Sequence, residues 1–317
     1  MTAYTLAHLS DVHLSPLPGV SPRYWNAKRA LGLINWHRKR RSVHRRDIAD
    51  KIIADALSLR VDHIAITGDL INLGLPAEYE AALGWLQSIG PPEHVTVVPG
   101  NHDVYTRLPG HPGAARWAAY MGREEQSLAF PFVRQAGPLT LVGLNSAIET
   151  APFVAAGRLG QHQIEVAGEM LERLGREGAI RVVLIHHPPL PGLASPRRAL
   201  EDAQPFTRML ERNGAELVLY GHNHRERLDW LTYAAKQGER AFIPVVGAPS
   251  ASAGRAHHDE PLARYNVFTF FAGPQGVRIR HAVRGLDGPD GNVVKLSESV
   301  LETEVGPGTT QEMLRRS

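Results

Sequence analysis

A chain of 317 residues with 43 % hydrophobic and 21 % charged residues can bury a sizeable core and has the make-up of an ordinary globular protein. Its formal charge is only +3, so any positive patch must be local. Cysteine is absent, which excludes a disulfide framework, a thiolate zinc site and an iron–sulfur cluster, and leaves His, Asp, Glu and Asn as candidate metal ligands.

In chain order, residues 4–9 are a short apolar run ending in Ser10-Asp11, a buried strand feeding a loop. Residues 15–46 form a basic insert. Residues 47–59 place Ile48, Ile52, Ala56 and Leu59 at helical spacing. A second strand, 61–67, stops at Gly68-Asp69, and a helix over 77–89 ends at Gly90-Pro91-Pro92. Further strands are expected at 94–98, 139–144, 181–185 and 216–220, the last stopped by Gly221. After His224 come short β-like runs at 228–233, 241–246, 265–271 and 277–281, read as antiparallel strands that extend or face the first sheet. From Gly285 onward Gly, Pro and polar residues dominate, and 304–317 reads as a loose tail. The expected division is a main domain over 1–284 and a partly flexible C-terminal extension over 285–317. No segment approaches the roughly 20 apolar residues that span a bilayer. The N-terminus lacks a signal-peptide pattern, so a cytoplasmic location is expected.

Continuous apolar strands alternating with helices imply an α/β sheet covered on both faces. In such folds ligands gather at the carboxyl ends of the strands. Just past those ends stand Asp11-Val12-His13, Gly68-Asp69, Gly100-Asn101-His102-Asp103, His186-His187 and Gly221-His222-Asn223-His224. Any one of these is ordinary loop chemistry, an Asp cap or a Gly turn. Five in this order, all at strand ends, point to one site. Asp11 and His13, two apart in an extended loop, can chelate one ion, and His222 and His224 repeat that geometry. Asp69 can bridge two ions through one carboxylate oxygen, and Asn101 adds a neutral carbonyl oxygen. Two divalent ions roughly 3.5–4 Å apart can hold a hydroxide and clamp phosphoryl oxygens for in-line displacement.

This constellation resembles the calcineurin-like metallophosphoesterase superfamily over residues 6 to about 224, roughly two thirds of the chain. The resemblance implies two mixed β-sheets in a sandwich flanked by helices, a four-layer α/β/β/α fold. It also implies a metallophosphoesterase domain over 1–284 with a binuclear-metal hydroxide mechanism. By position, one metal falls to Asp11, His13, Asp69 and His224, and the other to Asp69, Asn101, His186 and His222. His102 takes the catalytic histidine role, binding a phosphate oxygen or protonating the leaving group. His186, nearer the strand end, is preferred over His187, which is expected to line the cleft, and Asp103 reads as a supporting or turn residue. The N/O ligand set suits Mn²⁺ or Fe²⁺, with Zn²⁺ as an alternative.

Phosphoprotein phosphatases of the superfamily carry Asp three residues after the bridging Asp, where this chain has Asn72. The run from Gly68 through Asn72, Gly74, Pro76, Glu78 and Tyr79 resembles bacterial class III cyclic-nucleotide and glycerophosphodiester phosphodiesterases. The His186-to-Pro191 run and the Gly160-Gln161 step before a helix are similar too. A small-molecule or lipid-derived phosphodiester is therefore the expected substrate.

The insert carries Arg23, Lys28, Arg29, the run Arg38-Lys39-Arg40-Arg41, and Arg45 and Arg46, interleaved with Tyr24, Trp25 and Trp36. Leaving the loop of Asp11 and His13, it is expected over or beside the cleft, either as a solvated helix face or in peripheral contact with the inner face of the membrane. Its Lys-Arg, Gly and Asn-aromatic run is similar to enzymes that cleave the pyrophosphate of UDP-2,3-diacylglucosamine, which makes a membrane-associated pyrophosphatase on a nucleotide-linked lipid the alternative function. Nucleic acid is not expected, since aromatic content of 7 % offers no stacking platform. A non-catalytic scaffold, like the retromer subunit of this fold, should have lost ligands, and none is missing. The remaining histidines, His44 among them, read as surface or capped core residues, and His257 and His258 as exposed loop residues. Oligomeric state is not legible in the sequence.

Overall fold

The computed structural model describes residues 3–19, 21–122, 128–234, 240–273 and 276–302. Two six-stranded mixed sheets carry the fold. The first is built from β1 (Ala3–Leu9), β2 (His63–Ile66), β3 (Val95–Val97), β10 (Arg264–Gly273), β11 (Gly276–Leu286) and β12 (Val293–Glu302). Their spatial order is β12-β11-β10-β1-β2-β3. Parallel pairing of β1 with β2 and of β2 with β3 directs the loops after these strands to one edge. The second sheet contains β4 (Phe132–Ala136), β5 (Leu139–Gly143), β6 (Ile180–Leu184), β7 (Leu217–Tyr220), β8 (Arg227–Ala234) and β9 (Arg240–Gly247), ordered β4-β5-β6-β7-β9-β8. Its central strands β5, β6, β7 and β9 are parallel.

The alternation of side chains along each strand explains the layering. Leu141, Val182, Leu184, Leu217 and Leu219 point into the core shared with the first sheet, beside Leu6, Leu9 and Phe268. Their neighbours Val142, Val183 and Val218 point the other way, against Leu171 of α5 (Gln161–Arg176) and Phe206 and Leu210 of α6 (Ala203–Asn213). The first sheet is covered by α3 (Arg46–Ser58), which buries Ile48, Ile52 and Ala56 at i, i+4 and i+8, and by α4 (Pro76–Ile89), which buries Tyr79, Ala82 and Leu86. The order is helices, sheet, sheet, helices, the expected α/β/β/α sandwich.

Two points refine the sequence reading. The runs after His224 divide between the sheets: β8 and β9 join the second, while β10 and β11 extend the first. The Gly/Pro-rich stretch after 284, for which no strand was expected, contributes strand up to residue 302. It completes β11 and adds β12, because backbone pairing with β11 requires no apolar pattern on an edge strand. The tail expected over 304–317 lies outside the described residues. Among the described residues no helix is long and apolar enough to cross a membrane.

The insert folds as α1 (Ala27–Asn35), a π-helical turn (Trp36–Arg40) and one further turn, α2 (Arg41–Val43). Asn26 caps α1 by accepting the Arg29 N–H at 2.9 Å. Arg29 is buried and donates to the carbonyls of Leu73, Gly74 and Tyr24, and Lys28 donates to the carbonyls of Tyr105 and Thr150. Leu17, Tyr24 and Leu33 pack on Leu73, Leu75 and Tyr105. These contacts clamp the insert onto the loops that follow β2 and β3.

Candidate metal centre

The loops after β1, β2, β3, β6 and β7 converge where the two sheets meet. Asp11, His13 and His224 form one group of donor atoms, and Asp69, His186 and His222 a second. Asp69 joins them: its Oδ2 lies 3.7 Å from His13 Nε2 and 3.5 Å from His186 Nε2. The other oxygen, Oδ1, is tied back by the His102 backbone N–H at 2.8 Å. Asn101 Oδ1 stands 3.2 Å from His186 Nε2. All seven residues expected as ligands, with His102, are thus brought together.

The backbone at this point is strained. Asp11 (φ 54°), His13 (44°), Asp69 (55°), His222 (68°) and His224 (54°) all occupy the left-handed region, at a cost of about 1–3 kcal/mol each. The surrounding hydrogen bonds hold them there. His13 N donates to Asp69 O and Asp11 N to Gly68 O, while His222 N donates to Asp11 Oδ2 at 2.9 Å. Gly68 has φ 90°, and a side chain on it would run into the backbone of Gly100. A side chain on Gly221 would run into Ser10 and Asp11. The glycine of each motif is therefore the condition for two loops to touch.

Outer hydrogen bonds aim the imidazoles. His186 Nδ1–H donates to Thr67 O at 2.6 Å and His13 Nδ1–H to Ile71 O at 3.1 Å, which leaves each Nε2 facing the centre. His224 Nδ1 faces Glu260 Oε2 at 3.4 Å, with its Nε2 3.2 Å from Asp11 Oδ1. His13 Nε2 and His222 Nε2 are buried without a hydrogen-bond partner. His222 Nδ1 and His186 Nε2 face each other at 3.2 Å. Buried, convergent N and O atoms fit divalent cations, and the donor set is the one expected for them.

The charges tell the same story. Burial opposes a charge on His186, but Asp69, hydrogen-bonded and close, and then Asp11 outweigh it and hold the imidazole up at about 9. His224 is likewise held up at about 9 against burial, by Asp11 and Glu260. Burial also opposes ionisation of Asp69, yet the facing His186 keeps its carboxyl well below the usual range. Both imidazoles are therefore disposed to carry a positive charge beside Asp69 and Asp11.

His102 is nearly buried and stacks on Tyr105, ring centroids 5.4 Å apart. Its Nδ1–H donates to Asn72 O at 2.5 Å, so its Nε2 is the free nitrogen. Burial, and then the Arg40 guanidinium, push its pKa down to about 3, so the resting imidazole is neutral.

Several supporting residues escaped the sequence reading. Glu260 lies in a loop with no motif around it. His44, read as an ordinary histidine, is buried with its ring 4.5 Å from His13 and 5.5 Å from His224, its Nδ1 2.9 Å from Ser252 Oγ. His187 does not line the cleft: it is fully buried behind His222, 2.7 Å from Ser146 Oγ, because the strand end turns alternate residues to opposite sides. Asp103 is a supporting residue, as expected. Its carboxylate accepts from the N–H groups of Asp69, Leu70, Ile71 and Gly100, fastening the loop after β2 to the loop after β3. His257 and His258 are exposed.

The structure is thus a two-sheet α/β sandwich with two groups of candidate metal donors at its strand ends. The calcineurin-like phosphoesterase family matches residues 4–226, and the chain belongs to that family. Over 194 residues the chain is 28 % identical to a probable cyclic nucleotide phosphodiesterase of Synechococcus sp.. The matched segment spans 60 % of this chain and 65 % of that relative, so somewhat under two thirds of the relative is covered. Among solved structures, a dimetal phosphatase from Danio rerio superposes with a TM-score of 0.57 at 13 % identity, covering 95 % of this chain and 99 % of the other. That likeness concerns the fold. The family match places the chain among the calcineurin-like phosphoesterases.

Proposed function

We propose that the protein is a metal-dependent phosphodiesterase acting on a small-molecule or lipid-derived phosphodiester. One observation carries the dimetal part of this reading. Asp69 Oδ2 lies between two sets of buried donors, with His13 on one side and His186 on the other. Asp11, His13, Asp69 and His224 would hold one ion, and Asp69, Asn101, His186 and His222 the second. Mn²⁺ or Fe²⁺ is the preferred occupant for N/O ligands, with Zn²⁺ as the alternative. When bound, the ions supply Lewis-acid activation of water and of phosphoryl oxygens.

The chain's own residues do the rest. Thr67, Ile71 and Glu260 fix the imidazole orientations through Nδ1, and Asp103 keeps the loops of Asp69 and Asn101 in register. His102 presents a neutral Nε2 at the mouth of the centre, suited to accept a hydrogen bond or a proton. For it to donate to the leaving group, an anionic substrate must first offset the burial and the Arg40 charge that hold its pKa down. The diester preference is supported by Asn72 in place of Asp and by the Synechococcus relative's printed activity.

A second reading, a pyrophosphatase on a nucleotide-linked lipid, is favoured by one feature. Trp25, Leu31 and Ile34 of the insert are exposed, and so is Phe153, 79 % accessible, in the loop that Lys28 ties to α1 through Thr150. Exposed Arg23, Arg38 and Arg41 accompany them. Apolar tips among basic residues suit the surface of an anionic bilayer, and a cytoplasmic protein could meet it at the inner face. Vesicle sedimentation separates the readings. Binding to phosphatidylglycerol vesicles that is lost in the Leu31→Ser/Ile34→Ser/Phe153→Ser variant supports the lipid reading, and no binding by the parent removes it. The phosphodiesterase proposal itself is tested by loading the protein with Mn²⁺ and comparing bis-(p-nitrophenyl) phosphate with the monoester.

A further inference from the structure

Arg40 stands apart from the other basic residues of the insert. Arg29 is spent on the carbonyls of Leu73, Tyr24, Gly74 and Thr106, Arg45 is paired with Asp47 and Asp290, and Arg46 with Asp50. Arg40 ends the π-helical turn and points inward, its Nη1 3.2 Å from His102 Nδ1. That contact is not a working hydrogen bond. His102 Nδ1 lies 2.5 Å from the Asn72 carbonyl, which can only accept, so Nδ1 carries the proton and has no lone pair for Arg40. Among the described residues no carboxylate lies within ion-pair distance of Arg40, although Asp69 and Asp11 are near enough to act on it through space. Arg198, bonded to the His222 carbonyl, acts on it too from across the centre. Arg40 is therefore a partly buried guanidinium with N–H groups and charge unspent, anchored by the clamped insert beside the residue expected to meet the substrate.

We propose that Arg40 is a substrate-binding residue. Its guanidinium takes an anionic phosphoryl oxygen next to His102, so the insert completes the catalytic centre. The inference rests on the dimetal hydrolase reading. Its chemistry is ordinary: guanidinium matches phosphate with two parallel donors, and a charge-assisted bond in a partly dry site is strong. A π-helical turn at this point is in keeping, since such turns recur where a helix must aim a functional side chain.

The test uses inorganic phosphate as the probe on the full-length, Mn²⁺-loaded protein. Calorimetry should show phosphate affinity falling roughly ten- to hundredfold in Arg40→Ala, less in Arg40→Lys, with metal content unchanged. KM for the diester should rise in parallel. If Arg40→Ala fails to fold, Arg40→Lys and Arg40→Gln carry the comparison. A purely structural role, propping His102, makes a different prediction. In a His102→Ala background the loss of Arg40 would then cost nothing, whereas direct binding keeps the loss. Unchanged phosphate affinity in Arg40→Ala, disappearance of its effect without His102, or no phosphate binding by the loaded parent each overturn the proposal. A parent that binds phosphate through Arg40 yet hydrolyses no diester sinks the function proposed above and leaves this one standing.

Discussion

Two regions meet at the centre, and they got there by opposite routes. The ligand loops are short, strained and tied to strand ends. Each contributes one or two residues whose position just past the strand sets which side they face. The insert over residues 15–46 is long, its polar side chains are pinned to backbone carbonyls of distant loops, and its contribution depends on a fold formed elsewhere. Arg29, bonded to Leu73 and Gly74, and Lys28, bonded to Thr150, show the difference: neither partner is within 40 residues in sequence. The loops define the chemistry locally, while the insert shapes the site through tertiary contacts.

The largest expected effect breaks the loops. Asp69→Asn should lower diester hydrolysis by about a thousandfold and abolish stoichiometric metal binding, because one side chain serves both donor sets. Circular dichroism should stay close to that of the parent, and near-normal turnover by this variant would contradict the bridging role.

Next comes the support of a single imidazole. Glu260→Gln should weaken binding of the ion held by His224 roughly ten- to hundredfold, since the outer partner of a metal-binding histidine fixes its tautomer and basicity. Metal titration reads this directly, and an unchanged affinity would reduce Glu260 to a surface carboxylate.

The pH dependence sharpens the electrostatic account. In chelated protein the protonated His186 and His224 pairs stabilise the fold fully below about 6.5, and that contribution is lost as pH rises through about 9. On the acid side the sign reverses. His8, His102 and His187 are held down at about 3 by burial, so the unfolded chain takes protons that the fold refuses, and stability falls as pH drops below about 6.5. The Tm of metal-free protein should therefore peak near neutrality. Metal loading should release about two protons and flatten the alkaline limb. A metal-free Tm that climbs between pH 7 and 9 would contradict the assignment.

The smallest effect concerns the outer face of the insert. Arg38→Glu/Arg41→Glu should leave turnover of a soluble diester unchanged, because both side chains are exposed. Charge reversal at Arg40 belongs in a separate variant, since that residue faces the centre. A loss of soluble-substrate turnover in the Arg38/Arg41 variant would mean that the whole insert, and not Arg40 alone, serves catalysis.

Much of this was legible in the sequence for physical reasons. Asp11, His13, Asp69, Asn101, His186, His222 and His224 follow apolar strands, most of them beside glycine stops, and strand ends are where loops of one sheet converge. The helices over 46–58 and 76–89 carried clear 3.6-residue spacing. Helix α6 carried it too, in Phe206, Met209 and Leu210, although no motif drew attention to it. Strand β12 was hidden because an edge strand needs no apolar run. Glu260 and His44 were hidden because each acquires meaning only from a partner far away, His224 and Ser252. The signature run proved scaffolding. Glu78 accepts the N–H groups of Asn72, Leu73 and Leu75, Asn72 donates to Leu14 O, and Tyr79 donates to Asp103 O. It builds the loop after β2, so its likeness to the phosphodiesterases is a mark of kinship and not a substrate contact.

The most direct test of the central claim is the ratio of kcat/KM for bis-(p-nitrophenyl) phosphate to that for p-nitrophenyl phosphate, measured on Mn²⁺-loaded protein with metal content determined on the same sample. The account predicts two ions per chain and preference for the diester. One ion or none, or a preference for the monoester, would contradict it.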